Sequence, residues 1–213
     1  LLNLLFFIYC VLLCIWQYSY CIAFSSTDPK VSLLFSRLSH LPVLFLAPIF
    51  YLISLVIIKK KDEMKYLAVL LLFNVTIILF FLFFTNLYIS HVVKRYWGYQ
   101  AIAGPILPFE LLLTIFVICR STWLLFTTYK NNRLQLSPSE LNKFKYYALA
   151  FGIYIFTCVD FMQKFGVNIF PFGFIFTIFF LSIVSYAIFK HQLLDINIVI
   201  RRGLIYSIVV TIM

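Results

Sequence analysis

The chain has 213 residues, 64% of them hydrophobic and 11% charged; an average soluble domain is roughly 25% charged, so most of this surface does not face water. Its net charge of +10 comes from 17 Lys and Arg against 7 Asp and Glu. The basic residues sit mainly in short loops, where membrane topology and anionic lipid headgroups account for them, and nucleic-acid binding has no support.

The apolar residues come in long blocks, not in the alternating ten-residue segments of an outer-membrane barrel, so the expected class is all-α, a polytopic membrane helix bundle. Six spans are expected: Leu1–Phe24, Leu41–Ile58, Tyr66–Asn86, Pro105–Tyr129, Tyr146–Gln163 and Phe172–Phe189. Each is close to the roughly 20 residues that carry an α-helix across a bilayer. The first has no basic stretch before it and no small-residue cleavage site, which argues against a cleaved signal peptide. Both ends lie inside apolar runs and read as cuts in a longer chain.

Loop charge sets the expected orientation. Lys59, Lys60, Lys61, Lys65, Lys130, Arg133, Lys143, Lys145, Lys190, Arg201 and Arg202 fall on one side, against Lys30, Arg37, Lys94, Arg95 and Lys164 on the other. The first group is therefore cytoplasmic by the positive-inside rule, and the chain returns to the cytoplasm after its last span. In the loop before the fifth span, Ser137, Pro138 and Glu140 have the form of an N-cap, N1 and N3, so that helix is expected to begin at Pro138 and run unbroken into the membrane. The longest outer connection, 87–104, places Tyr88, Tyr96, Trp97 and Tyr99 as interfacial anchors.

Carboxylates inside a bilayer are costly unless paired, solvated or protonated, so Glu110 and Asp160 are the first candidates for a sensing or ligand site. Lys164, His91 and Arg95 are expected outer-side partners, with Lys94 beside them. The structural alternative is that each acid is wetted at the interface or bonded to a neighbouring helix. Arg120 is about 15 Å along its helix from Glu110 and is expected to snorkel toward inner headgroups, with no acid seen at its own depth. His40, His91 and His191 are scattered, so no metal site is expected, and no motif for a cofactor or a catalytic triad occurs. Cys10, Cys14, Cys21, Cys119 and Cys158 lack paired spacing and read as small buried hydrophobes. Asn74-Val75-Thr76 matches a glycosylation acceptor by chance, inside a span.

The stretch 158–202 carries in order an acid, a turn at Gly166 and Pro171, an apolar span and a basic exit. Within it, DFMQKFGVNIFPFGF is similar to a D-F-L-P-x-x-G-x-x-I-Y-P-x-G-F turn, and YAIFKHQLLDI to a Y-A-I-x-x-H-x-L-L-D-I exit. Both belong to the N-terminal seven-helix membrane region of bacterial sensor histidine kinases. Trp16 in the first span, then Arg37 ahead of Pro42 and Pro48, follow the same family order, while Gln163 stands where the family turn has Pro. The resemblance implies a homodimeric sensor in the bacterial inner membrane, its first helix upstream of Leu1 and its cytoplasmic dimerisation and ATP-binding domains downstream of Met213. No motif of those catalytic domains is in this chain, so the segment itself is not expected to be an enzyme.

The expected organisation is a transmembrane sensory domain over 1–194, followed over 195–213 by a linker or the start of a further helix. Asp160 and Glu110 would sense an unidentified stimulus, Gly166, Pro171 and Gly173 would shape the turn, and Lys190, His191 and Asp195 would transmit. Two other readings stand beside this one: the same region joined to another output such as a diguanylate cyclase, and a fragment of a transporter or channel, for which the intramembrane acids and Arg120 are the support.

Overall fold

The computed structural model describes residues 1–59, 63–132 and 138–191. The expected linker with Asp195, Arg201 and Arg202 lies outside the described residues, as do Lys60, Lys61, Arg133 and the N-cap candidate Ser137.

Helix α1 (Leu2–Ser25) has no charged residue and stops at a short polar turn. Helix α2 (Pro29–Ile58) then starts well before the expected Leu41. The cause is local: Asp28 is an N-cap whose Oδ1 accepts the Lys30 N–H at 2.8 Å, and Pro29 occupies the first helical position. Its first turns keep their polar residues inward, so Ser32, Ser36, Ser39 and His40 are all buried.

Two prolines sit inside α2, each lacking the N–H that the carbonyl four residues earlier would accept. Pro48 thereby leaves the Leu44 carbonyl without its helical donor. The Asn74 side chain supplies one, donating Nδ2–H to Leu44 O at 3.1 Å. That bond ties α2 to α3 (Met64–Ile77) and makes Asn74 a buried structural donor.

After α3 the helix widens into a π turn over Ile78–Leu82. Arg37 of α2 reaches the chain beyond it, donating to Phe83 O at 3.1 Å, Thr85 O at 3.2 Å and Asn86 Oδ1 at 2.8 Å. One guanidinium thus satisfies carbonyls at the end of a helix that has no following turn.

The connection expected as a loop is a β-hairpin, which corrects the all-α expectation. Strand β1 (Ile89–Arg95) pairs antiparallel with β2 (Gly98–Ala103) through a turn at Tyr96 and Trp97. Val92, Val93 and Ile102 suit an extended backbone, and Ser90 bulges out of register while its hydroxyl donates to Ile102 O at 3.2 Å. Of the four expected anchors, Tyr88 is in fact fully buried, Tyr96 is exposed, and Trp97 meets Phe170 edge-on at 6.0 Å.

Helix α4 (Leu107–Asn132) leads to α5 (Pro138–Tyr154), which begins at the expected proline. It runs unbroken past Tyr146, as expected, to Tyr154, where the chain tightens into a 3-10 segment over Ile155–Phe165. Gly166 ends that segment at φ 90°, a left-handed geometry that costs glycine little. Helix α6 (Gly173–His191) follows.

Four runs are long and apolar enough to cross a membrane: Leu2–Ser25, Pro29–Ile58, Leu107–Asn131 and Phe144–Phe165. The apolar stretches Met64–Asn74 and Gly173–Ala187 are shorter, so the structure supports a largely helical membrane protein in which four of the six expected spans reach that length among the described residues.

The helices pack through aromatic rings. Phe151 stacks on Phe50 at 3.7 Å between centroids, and it also meets Tyr9 and Phe180, so one ring joins α1, α2, α5 and α6. The cysteines are not buried as expected: Cys14, Cys21 and Cys119 are exposed, on helix faces turned away from this core.

Candidate functional site

Both intramembrane acids sit at the hairpin end of the bundle, and each already has partners. Glu110, in the first turn of α4, is 4% exposed. It accepts Thr114 Oγ1–H at 2.7 Å from the next turn and Tyr88 O–H at 3.2 Å from the segment leading into β1. Glu110 therefore fastens the hairpin to α4.

Asp160 lies in the 3-10 segment, and its Oδ1 accepts the backbone N–H of Gly173 at 2.7 Å. Gly173 is the first residue of α6, so a carboxylate faces the unsatisfied donors and positive dipole end of that helix. The approach is close enough that any Cβ at Gly173 would overlap the Asp160 carboxylate. The turn between them, with Gly166 exposed and Pro171 buried, is thus closed by a contact across 13 residues.

Lys164 is 2% exposed, and its Nζ has no hydrogen-bond partner. It lies 4.9 Å from the Tyr20 ring and 5.6 Å from the Phe161 ring, and within electrostatic reach of Asp160 and His40. The other expected partners stand elsewhere. His91 is exposed on β1 beside Ser90, at 3.0 Å, and Lys94 is exposed farther along the same strand.

His40 was read as one of three scattered histidines, yet it enters this group. Its Nδ1 donates to Ser36 O at 2.8 Å, which leaves Nε2 as an acceptor, and that atom is buried without a partner. Its ring is edge-on to Tyr88 at 5.4 Å and to Phe161 at 6.1 Å. Gln100 and Gln163 are also buried, each with an unpartnered Oε1. Nothing in the spacing of these four residues marks them as neighbours, since α2, β2 and the 3-10 segment contribute them separately.

At the opposite end, Lys190 Nζ lies 5.2 Å over the Tyr186 ring. Arg120 meets an acid there, contrary to expectation: its Nη2 is 3.1 and 3.0 Å from the two oxygens of Glu63. Tyr51 O–H donates to the same carboxylate. Glu63 sits in the turn before α3, so the depth of an Arg thirteen residues past the start of α4 is matched only once the chain is folded. Arg120 is 46% exposed at its side chain. An Arg120→Ala change is accordingly expected to cost less than about 1 kcal/mol, read as a small Tm loss that a double-mutant cycle with Glu63→Ala attributes to the pair.

A carboxylate on a helix start, an acid that fastens a hairpin and a buried cation without a hydrogen-bond partner, all at one end of a helical bundle, define a membrane module built around its hairpin end. The model for the N-terminal 7TM region of histidine kinases matches residues 2–197, and the chain belongs to that family. Comparison with curated proteins and with solved structures finds no match.

Proposed function

We propose that the chain is the sensory part of a two-component histidine kinase of the bacterial inner membrane, with its C-terminal side cytoplasmic and kinase domains following. In this reading all six helices cross the bilayer within a sensory domain over 1–194, two copies pair, and an outer-side or intramembrane stimulus is passed to the output through α6. The observation that carries it is the Asp160–Gly173 bond. It joins the polar group at the hairpin end directly to the first residue of the helix that leads toward the output.

A stimulus acts only through a difference in affinity between two arrangements. Here the arrangements differ in whether Asp160 holds the start of α6. The family membership and the basic residues after α6 support this direction of signalling.

The test is kinase autophosphorylation by the full-length protein in membranes, comparing wild type with Asp160→Ala and Asp160→Asn. Asn keeps an acceptor for the Gly173 N–H, so Asp160→Ala is expected to shift basal autophosphorylation by about fivefold, as about 1 kcal/mol between two states implies, while Asp160→Asn stays nearer wild type. Equal activity in all three at equal expression would remove Asp160 from the coupling.

A further inference from the structure

Among the described residues, the buried polar atoms without a hydrogen-bond partner at the hairpin end include the cation Lys164 Nζ and three acceptors, His40 Nε2, Gln100 Oε1 and Gln163 Oε1. All four side chains are at least nine-tenths buried. They share a neighbourhood: Lys164 lies over Tyr20, Tyr20 is beside Gln100, and Phe161 touches both Lys164 and His40. Asp160, whose Oδ1 accepts the Gly173 N–H at the start of α6, lies within electrostatic reach of Lys164, but no hydrogen bond joins the two. The Tyr20 and Phe161 ring faces compensate the ammonium in part, but they satisfy none of the three acceptors.

One turn deeper along the same three elements lies a small cavity with room for about one water molecule. Trp16 stands one turn below Tyr20, Val43 and Ala47 below His40, and Phe161 and Cys158 below Lys164; all line it. Its two threonines, Thr114 and Thr157, already donate to Glu110 and to the Tyr154 carbonyl. A buried cation without a hydrogen-bond partner and buried acceptors therefore stand about one turn from an apolar hollow of methyl size.

We infer that this pair of features is a binding site for a short-chain carboxylate, whose anionic end meets Lys164 and whose alkyl end enters the hollow beside Phe161 and Trp16. A hydroxyl or amine on the same molecule would donate to His40 Nε2 or to a glutamine oxygen. A phosphodiester of a lipid headgroup fits less well, since it carries an ester chain on each side of its charge and has no short free alkyl end to enter the hollow. The inference deepens the sensory reading and rests on it for its consequence: a carboxylate at Lys164 lies one turn from Asp160 and would bias its grip on α6. Binding is measured without any kinase readout, so failure here and failure of the coupling are told apart.

The experiment is thermal unfolding of the protein in lipid nanodiscs, with sodium acetate, propionate or lactate titrated against sodium chloride at equal ionic strength, and with and without phosphatidylglycerol in the disc. At a hundredfold excess over Kd, at least one carboxylate is expected to raise Tm by about 5 °C or more where chloride does not. Lys164→Met, which removes the ammonium that the carboxylate would meet, is expected to abolish that rise. The exposed hairpin variants His91→Gln and Lys94→Gln keep the response. The proposal is overturned if none of the three acids shifts Tm beyond chloride, if the shift survives in Lys164→Met, or if phosphatidylglycerol alone gives the Lys164-dependent shift.

Discussion

Gly173→Ala is expected to destabilise the protein by about 2–3 kcal/mol, although alanine at the start of a helix is ordinarily neutral or helpful. An added Cβ would stand 2.8 Å from Asp160 Oδ1 and closer still to the rest of that carboxylate. Either the carboxylate withdraws, which forfeits a charge-assisted bond to the first N–H of α6, or α6 shifts away from the 3-10 segment. Both outcomes remove the same contact. Gly152 in α5 is the matched control, because a Cβ there meets nothing within 4 Å. Gly152→Ala should therefore gain up to about 1 kcal/mol from helix propensity, and thermal unfolding in mild detergent should move the two variants in opposite directions. If Gly173→Ala unfolds at or above the wild-type temperature, Asp160 does not hold α6.

The second large effect is expected at Phe151. Its ring is fully buried, stacked on Phe50 and in edge or tilted contact with Tyr9 and Phe180. Phe151→Ala should cost about 3 kcal/mol, the low end of what truncating a buried phenylalanine costs in a water-soluble core. The low end applies because helix association in lipid rests on packing without a hydrophobic drive from water. Phe151→Leu, which restores most of the volume, should cost less than about 1.5 kcal/mol. The measurement is again the unfolding temperature, and equal losses for Ala and Leu would mean that ring stacking, not volume, holds the four helices together.

These two positions differ in how far the amino-acid order exposes them. Gly173 stands in a stretch whose turn residues mark it out, and its place at the head of a span is legible from Phe172 onward. Its partner is not, because Asp160 is 13 residues away across a turn and the bond needs the turn to close. Phe151 is one of 26 phenylalanines, and only burial distinguishes it from Phe156 in the following 3-10 turn, which is 60% exposed.

The early start of α2 was present in Asp28 and Pro29 but hidden by the polar residues behind them, which resemble a loop until Ser32, Ser36 and His40 are seen to face one buried side. The hairpin was hidden for a related reason. Val92, Val93 and Ile102 suit strands, yet two short strands count for little beside long apolar helices until they pack on something.

By itself the sequence determined that this is a helical membrane protein, where most of its apolar runs lie, and that the family motif falls on the turn before the last helix. Those properties follow from composition, length and local residue order, which the bilayer reads segment by segment. Only the tertiary structure decided what the buried polar residues do. It gave Glu110 to Tyr88 and Thr114, Asp160 to Gly173, Arg120 to Glu63, and the Leu44 carbonyl to Asn74. It left Lys164 Nζ and His40 Nε2 without hydrogen-bond partners, within electrostatic reach of one another. A buried polar group is satisfied by whatever donor or acceptor the packing brings within about 3 Å, and that distance is a property of the assembled helices.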